Sequence, residues 1–146
     1  MATHPALGID YGDVRIGIAA TDDFGILAHP VETIDVTRVE PLGRIAEIAA
    51  ARGIRTLVVG LPLRMDGSEG TAAEKVRQFA AALGRRLPDL PVVLVDETLT
   101  TAEAAAKLRQ AGRKAKHQRA IIDQAAAVEI LSQWIGDRGS EIEDRR

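Results

Sequence analysis

Residues 6–20 read Ala-Leu-Gly-Ile-Asp-Tyr-Gly-Asp-Val-Arg-Ile-Gly-Ile-Ala-Ala, two short apolar runs parted by Tyr11-Gly12-Asp13. Apolar runs of strand length on either side of a Gly-containing break predict a β-hairpin, Ala6–Asp10 against Val14–Ala20. A third strand near His29–Val36 follows the turn Asp22-Asp23-Phe24-Gly25, so an antiparallel meander opens the chain. Downstream the period changes. Thr37-x-x-Glu40 reads as a capping box with Pro41 in the first turn; Leu42, Ile45, Ile48 and Ala49 follow at helical spacing, and Gly53 ends the run. Thr56–Val59 predicts a buried strand flowing into the loop Gly60–Gly70. Thr71-x-x-Glu74 caps a helix carrying Val76, Phe79, Ala80 and Leu83, and Val92–Val95 is the last strand. A third helix is expected from Thr100 to near Gly112. A fourth runs from about Gln118 to Ile135, with Ile121, Ala125, Val128, Ser132 and Ile135 on one stripe. Two strand-helix-strand crossovers require a parallel portion in the sheet, and the opening meander makes it mixed. The expected architecture is α/β: a five-stranded mixed sheet flanked by helices on both faces, with the Asp10 strand central.

The bulk numbers fit one such domain, residues 1–136, with 137–146 as a flexible tail of mixed charge. The chain has 146 residues, 46% hydrophobic and 27% charged, the balance of an ordinary globular protein. Aromatics are 3%, so Ala, Leu, Ile and Val must fill the core. No cysteine is present, which removes disulfides, thiolate metal sites and Cys nucleophiles. No run approaches the ~20 apolar residues of a membrane span, and the N-terminus lacks a signal-peptide layout; a cytoplasmic protein is expected. Net charge is −2, but charge is unevenly spread: Lys107, Arg109, Arg113, Lys114, Lys116 and Arg119 stand in one stretch without an acid. On charge alone such a run is most simply a solvated face.

Three acids occupy unusual places. Asp10 closes an apolar strand, where a charge is costly without a partner, and Asp96-Glu97 closes the last strand. Alternation turns Asp96 away from Glu97. Ligands of open α/β sheets gather beyond the carboxyl ends of strands. Asp123 lies early in the last helix, followed by Ala125, Ala126 and Ala127, whose small side chains permit close approach to the sheet. Acids without Cys or a paired-His motif suit Mg²⁺ or Mn²⁺ rather than Zn²⁺. Spacing alone cannot bring the three together.

Four segments carry a resemblance: Ile9-Asp10-Tyr11-Gly12-Asp13-Val14-Arg15-Ile16-Gly17, Val59-Gly60-Leu61-Pro62-Leu63-Arg64-Met65-Asp66-Gly67-Ser68-Glu69-Gly70, Val95-Asp96-Glu97-Thr98-Leu99-Thr100-Thr101, and Ile122-Asp123-Gln124-Ala125-Ala126-Ala127. In this order and spacing, over residues 6 to 135, the chain resembles the YqgF/RuvX family, described as pre-16S ribosomal RNA nucleases and as Holliday-junction resolvase homologues. The chain departs from the family's usual pattern at Asp13, often Thr or Ser, and at Thr98, often Arg. The resemblance implies a ribonuclease H-like fold and, by position, Asp10, Glu97 and Asp123 as catalytic, metal-holding carboxylates. It implies a nuclease using two Mg²⁺ or Mn²⁺ ions, with Asp10 shared between them and Asp13, Asp96, His117 or substrate phosphate completing a shell. Structured RNA, bare or in ribosomal precursor particles, is the favoured substrate and branched DNA the alternative; either a monomer or a homodimer would serve.

Phosphate contacts are expected from Arg15, from Gly67-Ser68 ahead of a helix N-terminus, and from Arg113, Lys114, Lys116 and Arg119. That basic stretch joins the helix after Glu97 to the helix bearing Asp123, which turns its reading from solvated face to backbone contact. Two rivals remain. An actin-like kinase or ATPase uses a similar hairpin but duplicates the unit, for which 146 residues are too few. A non-catalytic nucleic-acid-binding module would keep the basic stretch and need no metal.

Overall fold

The computed structural model describes residues 3–98 and 116–144. Its strands are β1 (Ala6–Asp10), β2 (Arg15–Thr21), β3 (Ala28–Asp35), β4 (Thr56–Leu63) and β5 (Val92–Thr98); its helices are α1 (Pro41–Arg52), α2 (Thr71–Arg86) and α3 (Lys116–Asp144). The sheet order is β3-β2-β1-β4-β5. β1 pairs antiparallel with β2 and parallel with β4, which places the Asp10 strand at the centre of a mixed sheet, as expected. The helix expected over Thr100–Gly112 lies outside the described residues.

Alternation along the strands divides the interior into two cores. Leu7 and Ile9 of β1, Ile16 and Ile18 of β2, and Leu57, Val59 and Leu61 of β4 face α1 and α2, where Ile45, Ile48, Val76, Phe79 and Leu83 meet them. The intervening positions, Ala6, Ala19, Val58 and Val95, face α3 and pack against Ala127, Ile130, Leu131 and Trp134. Each fully buried Leu or Ile contributes about 1.5–3 kcal/mol from apolar surface removed from water. The sheet-facing residues on the α3 side are small, so the helix axis comes close. A side chain at Gly8 would stand 2.8 Å from the Ala127 carbonyl oxygen.

Several local details differ from the sequence reading, among them β4, which runs on to Leu63 where a loop was expected from Gly60. The N-cap of α1 is Glu40, not Thr37: its carboxylate accepts from Leu42 N at 2.7 Å and Gly43 N at 3.0 Å. Pro41 at the first helical position keeps the preceding residue extended, while Thr37 is already engaged by Asp35 Oδ1. In α2 the N-cap is Gly70 rather than Thr71, with no side-chain cap, and its carbonyl accepts from Glu74 N at 3.1 Å. In α3 the buried stripe is Ala127, Ile130, Leu131 and Trp134, whereas Ile121 is 60% exposed. The larger residues, Leu131 and Trp134, set the helix's rotation. The helix also continues past Ile135 to Asp144, so residues 137–144, expected as part of a flexible tail, are helical, since each added residue gains a backbone hydrogen bond once a helix exists.

Candidate functional site

Asp10 belongs to the same face of β1 as Ala6 and Gly8, the face that α3 covers. Its neighbours on both sides are glycines. Across the antiparallel ladder it pairs with Gly17 of β2. Across the parallel ladder Ile9 pairs with Val59, so the next rung brings Gly60 of β4 beside Asp10. Each glycine opens space for one of the other two acids. A Cβ at Gly17 would fall on the backbone carbonyl of Asp123, so α3 lies directly on β2 there. A Cβ at Gly60 would stand 2.6 Å from Glu97 Oε2. Glu97, on β5 opposite Pro62, therefore reaches back across β4 towards Asp10. Glycine inside a strand signals close approach by another group. The sequence reading saw the small residues on the helix side and overlooked this sign on the sheet side.

Two concavities meet at Asp10. The larger, about 800 Å³, is lined by Asp10, Gly60, Glu97, Ile122 and Ala126, together with Ala72 from the first turn of α2. The smaller, about 320 Å³, is lined by Asp10, Tyr11, Gly12, Asp13, Val14, Arg15 and Asp123. Asp10 and Glu97 thus share one hollow, and Asp10 and Asp123 the other. Among the described residues no three acid or histidine side chains form a ready cage around one ion. Asp123 is held instead by Arg15, whose Nε donates to Oδ2 at 2.8 Å. α3 is fixed at this level by Thr33 of β3, whose hydroxyl donates to the Ala120 carbonyl at 2.7 Å and accepts from Gln124 Nε2 at 3.1 Å.

The other candidates are placed as follows. Asp13 pairs with Lys75 of α2 at 3.1 Å, and Asp96 adds, behind Glu69, to raising Arg77 of α2 above the usual arginine range. Asp96 therefore faces α2, away from Glu97. Gly67 adopts φ 85° in a turn where Asp66 Oδ1 accepts from Ser68 Oγ at 2.6 Å and Ser68 N at 2.9 Å. The Ser68 hydroxyl, then its N–H, hold the Asp66 carboxyl below its usual value. These donors are thus occupied by the chain's own carboxylate, and neither Gly67 nor Ser68 borders the two hollows. Arg119 stands one helical turn before Asp123, on the same flank of α3. Arg113 and Lys114 lie outside the described residues; Lys116 opens α3, and its side chain, like that of His117, is not described. One acid escaped the sequence reading: Glu129 lines the larger hollow with Asp10 and Glu97. Its signal was its spacing of seven from Ile122, two turns along the same helix face.

Comparison with known proteins adds an independent line. The model of the RuvX family, described as Holliday junction resolvase, matches residues 4–137. A protein of Nocardia farcinica (strain IFM 10152) named "Putative pre-16S rRNA nuclease" is 46% identical over 141 residues, covering 92% of this chain and 78% of that protein. A Mycobacterium leprae (strain Br4923) protein of the same name is 50% identical over 130 residues, covering 88% and 71%. Among solved structures, T. thermophilus RuvC in complex with Holliday junction substrate aligns with a TM-score of 0.53 at 18% identity, covering 91% of this chain and 94% of that one. The mixed sheet with its central β1 is thus of the ribonuclease H-like fold.

Proposed function

Because the chain belongs to the RuvX family, we propose that it is a divalent-cation-dependent nuclease acting on the precursor of 16S ribosomal RNA, with Asp10, Glu97 and Asp123 as its catalytic carboxylates. The observation that carries the reading is the pair of glycines beside Asp10. Gly17 and Gly60 leave the room through which Asp123 and Glu97 approach the end of β1. The same bare backbone lets α3 settle close to the sheet, with Ile130 Cδ1 2.6 Å from where a Gly60 side chain would begin.

The donor chemistry fits Mg²⁺ or Mn²⁺. Every donor is a carboxylate oxygen, and the sequence has no cysteine to favour a softer ion. Mg²⁺ commonly takes one or two carboxylates and completes its shell with water and substrate phosphate, and each hollow offers that many from the three assigned acids, Asp10 with Glu97 in one and Asp10 with Asp123 in the other. Asp10 would be the shared donor, with Glu97 on one side and Asp123 on the other. A bound divalent pair supplies an acidified water and a counter-charge for the leaving oxygen. The chain's own residues do the rest. Val95, Ile130 and Leu131 exclude water from beneath the acids, so charges above them act in a poorly screened setting. Arg119 and the basic residues before it would hold the strand's phosphates without reading its sequence.

Precursor RNA, free or within the precursor particle, is preferred because the relatives carry that name; branched DNA is the second reading, favoured by the family's description. Purified protein should cleave structured precursor RNA with Mg²⁺ or Mn²⁺ and fail with EDTA, with a four-way DNA junction run in parallel. Asp10→Asn should lower the rate by at least about 10³-fold, an effect of about 4 kcal/mol on the barrier, with an unchanged circular dichroism spectrum. Full activity of that variant in a preparation free of other nucleases would remove Asp10 from the mechanism.

A further inference from the structure

Among the described residues, an ion pair beside Asp10 joins an acid assigned to the reaction to a cation that occupies it. Arg15 Nε sits 2.8 Å from Asp123 Oδ2, and the two side chains are only 30% and 15% exposed. Arg15 begins β2 directly beyond the hairpin loop, and both residues line the small hollow that Asp10 closes. A guanidinium in that position neutralises the carboxylate and occupies one of its oxygens. A divalent ion coming to Asp10 and Asp123 meets this resident cation within a few ångströms, in a half-buried setting where like charges repel strongly.

We propose that Arg15 is the resident counter-ion of Asp123 and that loading of a divalent cation is an exchange. The guanidinium leaves Asp123 as the ion arrives, and turns to the nearest phosphate of the bound strand. The proposal rests on the reading of Asp123 as a metal ligand. It adds a positioning role for Arg15 that a simple phosphate contact does not have. Without divalent ions Arg15 keeps Asp123 in place and offsets its charge beside Asp10. With them, the released fork of donors suits a phosphate oxygen pair. Geometry permits the movement, since the hollow of about 320 Å³ opens beside the guanidinium and its long side chain can rotate without moving β2.

The test is titration of purified protein with Mn²⁺ alone by calorimetry, for the parent chain and for Arg15→Gln, Arg15→Lys and Asp123→Asn. If Arg15 competes with the ion, Arg15→Gln binds Mn²⁺ tighter by roughly three- to tenfold, the scale of one partly screened charge. Arg15→Lys keeps a cation on a compact head and should stay within about twofold of the parent. Asp123→Asn should bind more weakly than either. Arginine Nε–Hε resonances give a second readout independent of activity: the Arg15 signal should shift on Mg²⁺ addition in the parent and stay put in Asp123→Asn. If Arg15→Gln binds Mn²⁺ no better than the parent while Asp123→Asn binds worse, the exchange is wrong and the metal site stands. If Asp123→Asn binds as well as the parent, Asp123 is not a ligand, and both the exchange and that part of the site fall.

Discussion

At Gly60 a single methyl group would decide where Glu97 goes. The Cβ of an alanine there would stand 2.6 Å from Glu97 Oε2 and 2.6 Å from Ile130 Cδ1, closer than real side chains approach. The Glu97 carboxylate and the end of the Ile130 side chain must both swing aside. Gly60→Ala should therefore weaken Mn²⁺ binding by at least about tenfold, equivalent to 1.4 kcal/mol. Its stability should fall by about 1–3 kcal/mol, the usual cost of overpacking, read from a urea unfolding curve. Unchanged Mn²⁺ affinity would mean that Glu97 has no need of the space. The three acids were legible as candidates because Asp10 and Glu97 close apolar strands and Asp123 lies early in the last helix beside an apolar pair. That Glu97 and Asp123 border hollows shared with Asp10 was not, because it depends on which strand lies beside which. Only the pairing of Asp10 with Gly17, and of Ile9 with Val59, turns two inconspicuous glycines into site-shaping residues. The Gly67-Ser68 turn was legible too, yet its donors serve Asp66, an outcome that local hydrogen bonding decides and spacing does not reveal.

At the scale of elements, periodicity located every described strand and helix, while their ends depended on competition between neighbouring groups. Thr37 has the right spacing for a capping box, but Asp35 takes it and Pro41 fixes the helix start, leaving the cap to Glu40. The stripe of α3 was read in part: Val128 and Ile135 pack half-buried against the core, whereas Ile121, which looks as suitable for burial as Ile130 and Leu131, is exposed. Only the depth needed beside Gly8, Gly17 and Gly60 selects between them. The basic segment ahead of α3 carries its own prediction. Replacing Arg113, Lys114 and Lys116 together by Gln should weaken RNA binding and make the slope of log affinity against log salt shallower by roughly two to three units, at ~0.7–0.9 per phosphate contact. The loss should be alike across RNA sequences, since such contacts position a strand without reading it. Fluorescence anisotropy at several salt concentrations measures both. An unchanged slope would return the segment to a solvated face and leave Arg119 and Arg15 as the remaining cations.

For the whole molecule, the order of elements fixed little by itself; what made the fold readable was the change of period after residue 36, from an antiparallel meander to crossovers that must run parallel. The two cores that result are unequal in kind. One is built by α1 and α2 packed on large side chains; the other, among the described residues, is covered by α3 alone, resting on small ones. Asp10 and Glu97 are carried by the sheet, Asp123 by that single helix. The free energy needed to detach one helix is smaller than that needed to unfold the protein, because the sheet and its other core survive the event. Warming should accordingly switch the enzyme off before it melts. In parallel scans, reversible loss of cleavage should run ahead of the loss of far-ultraviolet ellipticity by several degrees, and Ile130→Ala, which thins the helix's footing, should widen that gap. Coincident curves would mean that α3 and the sheet come apart only together. A separation would make the docking of one helix a thermostat for activity, set by a handful of apolar contacts and adjustable without touching an acid.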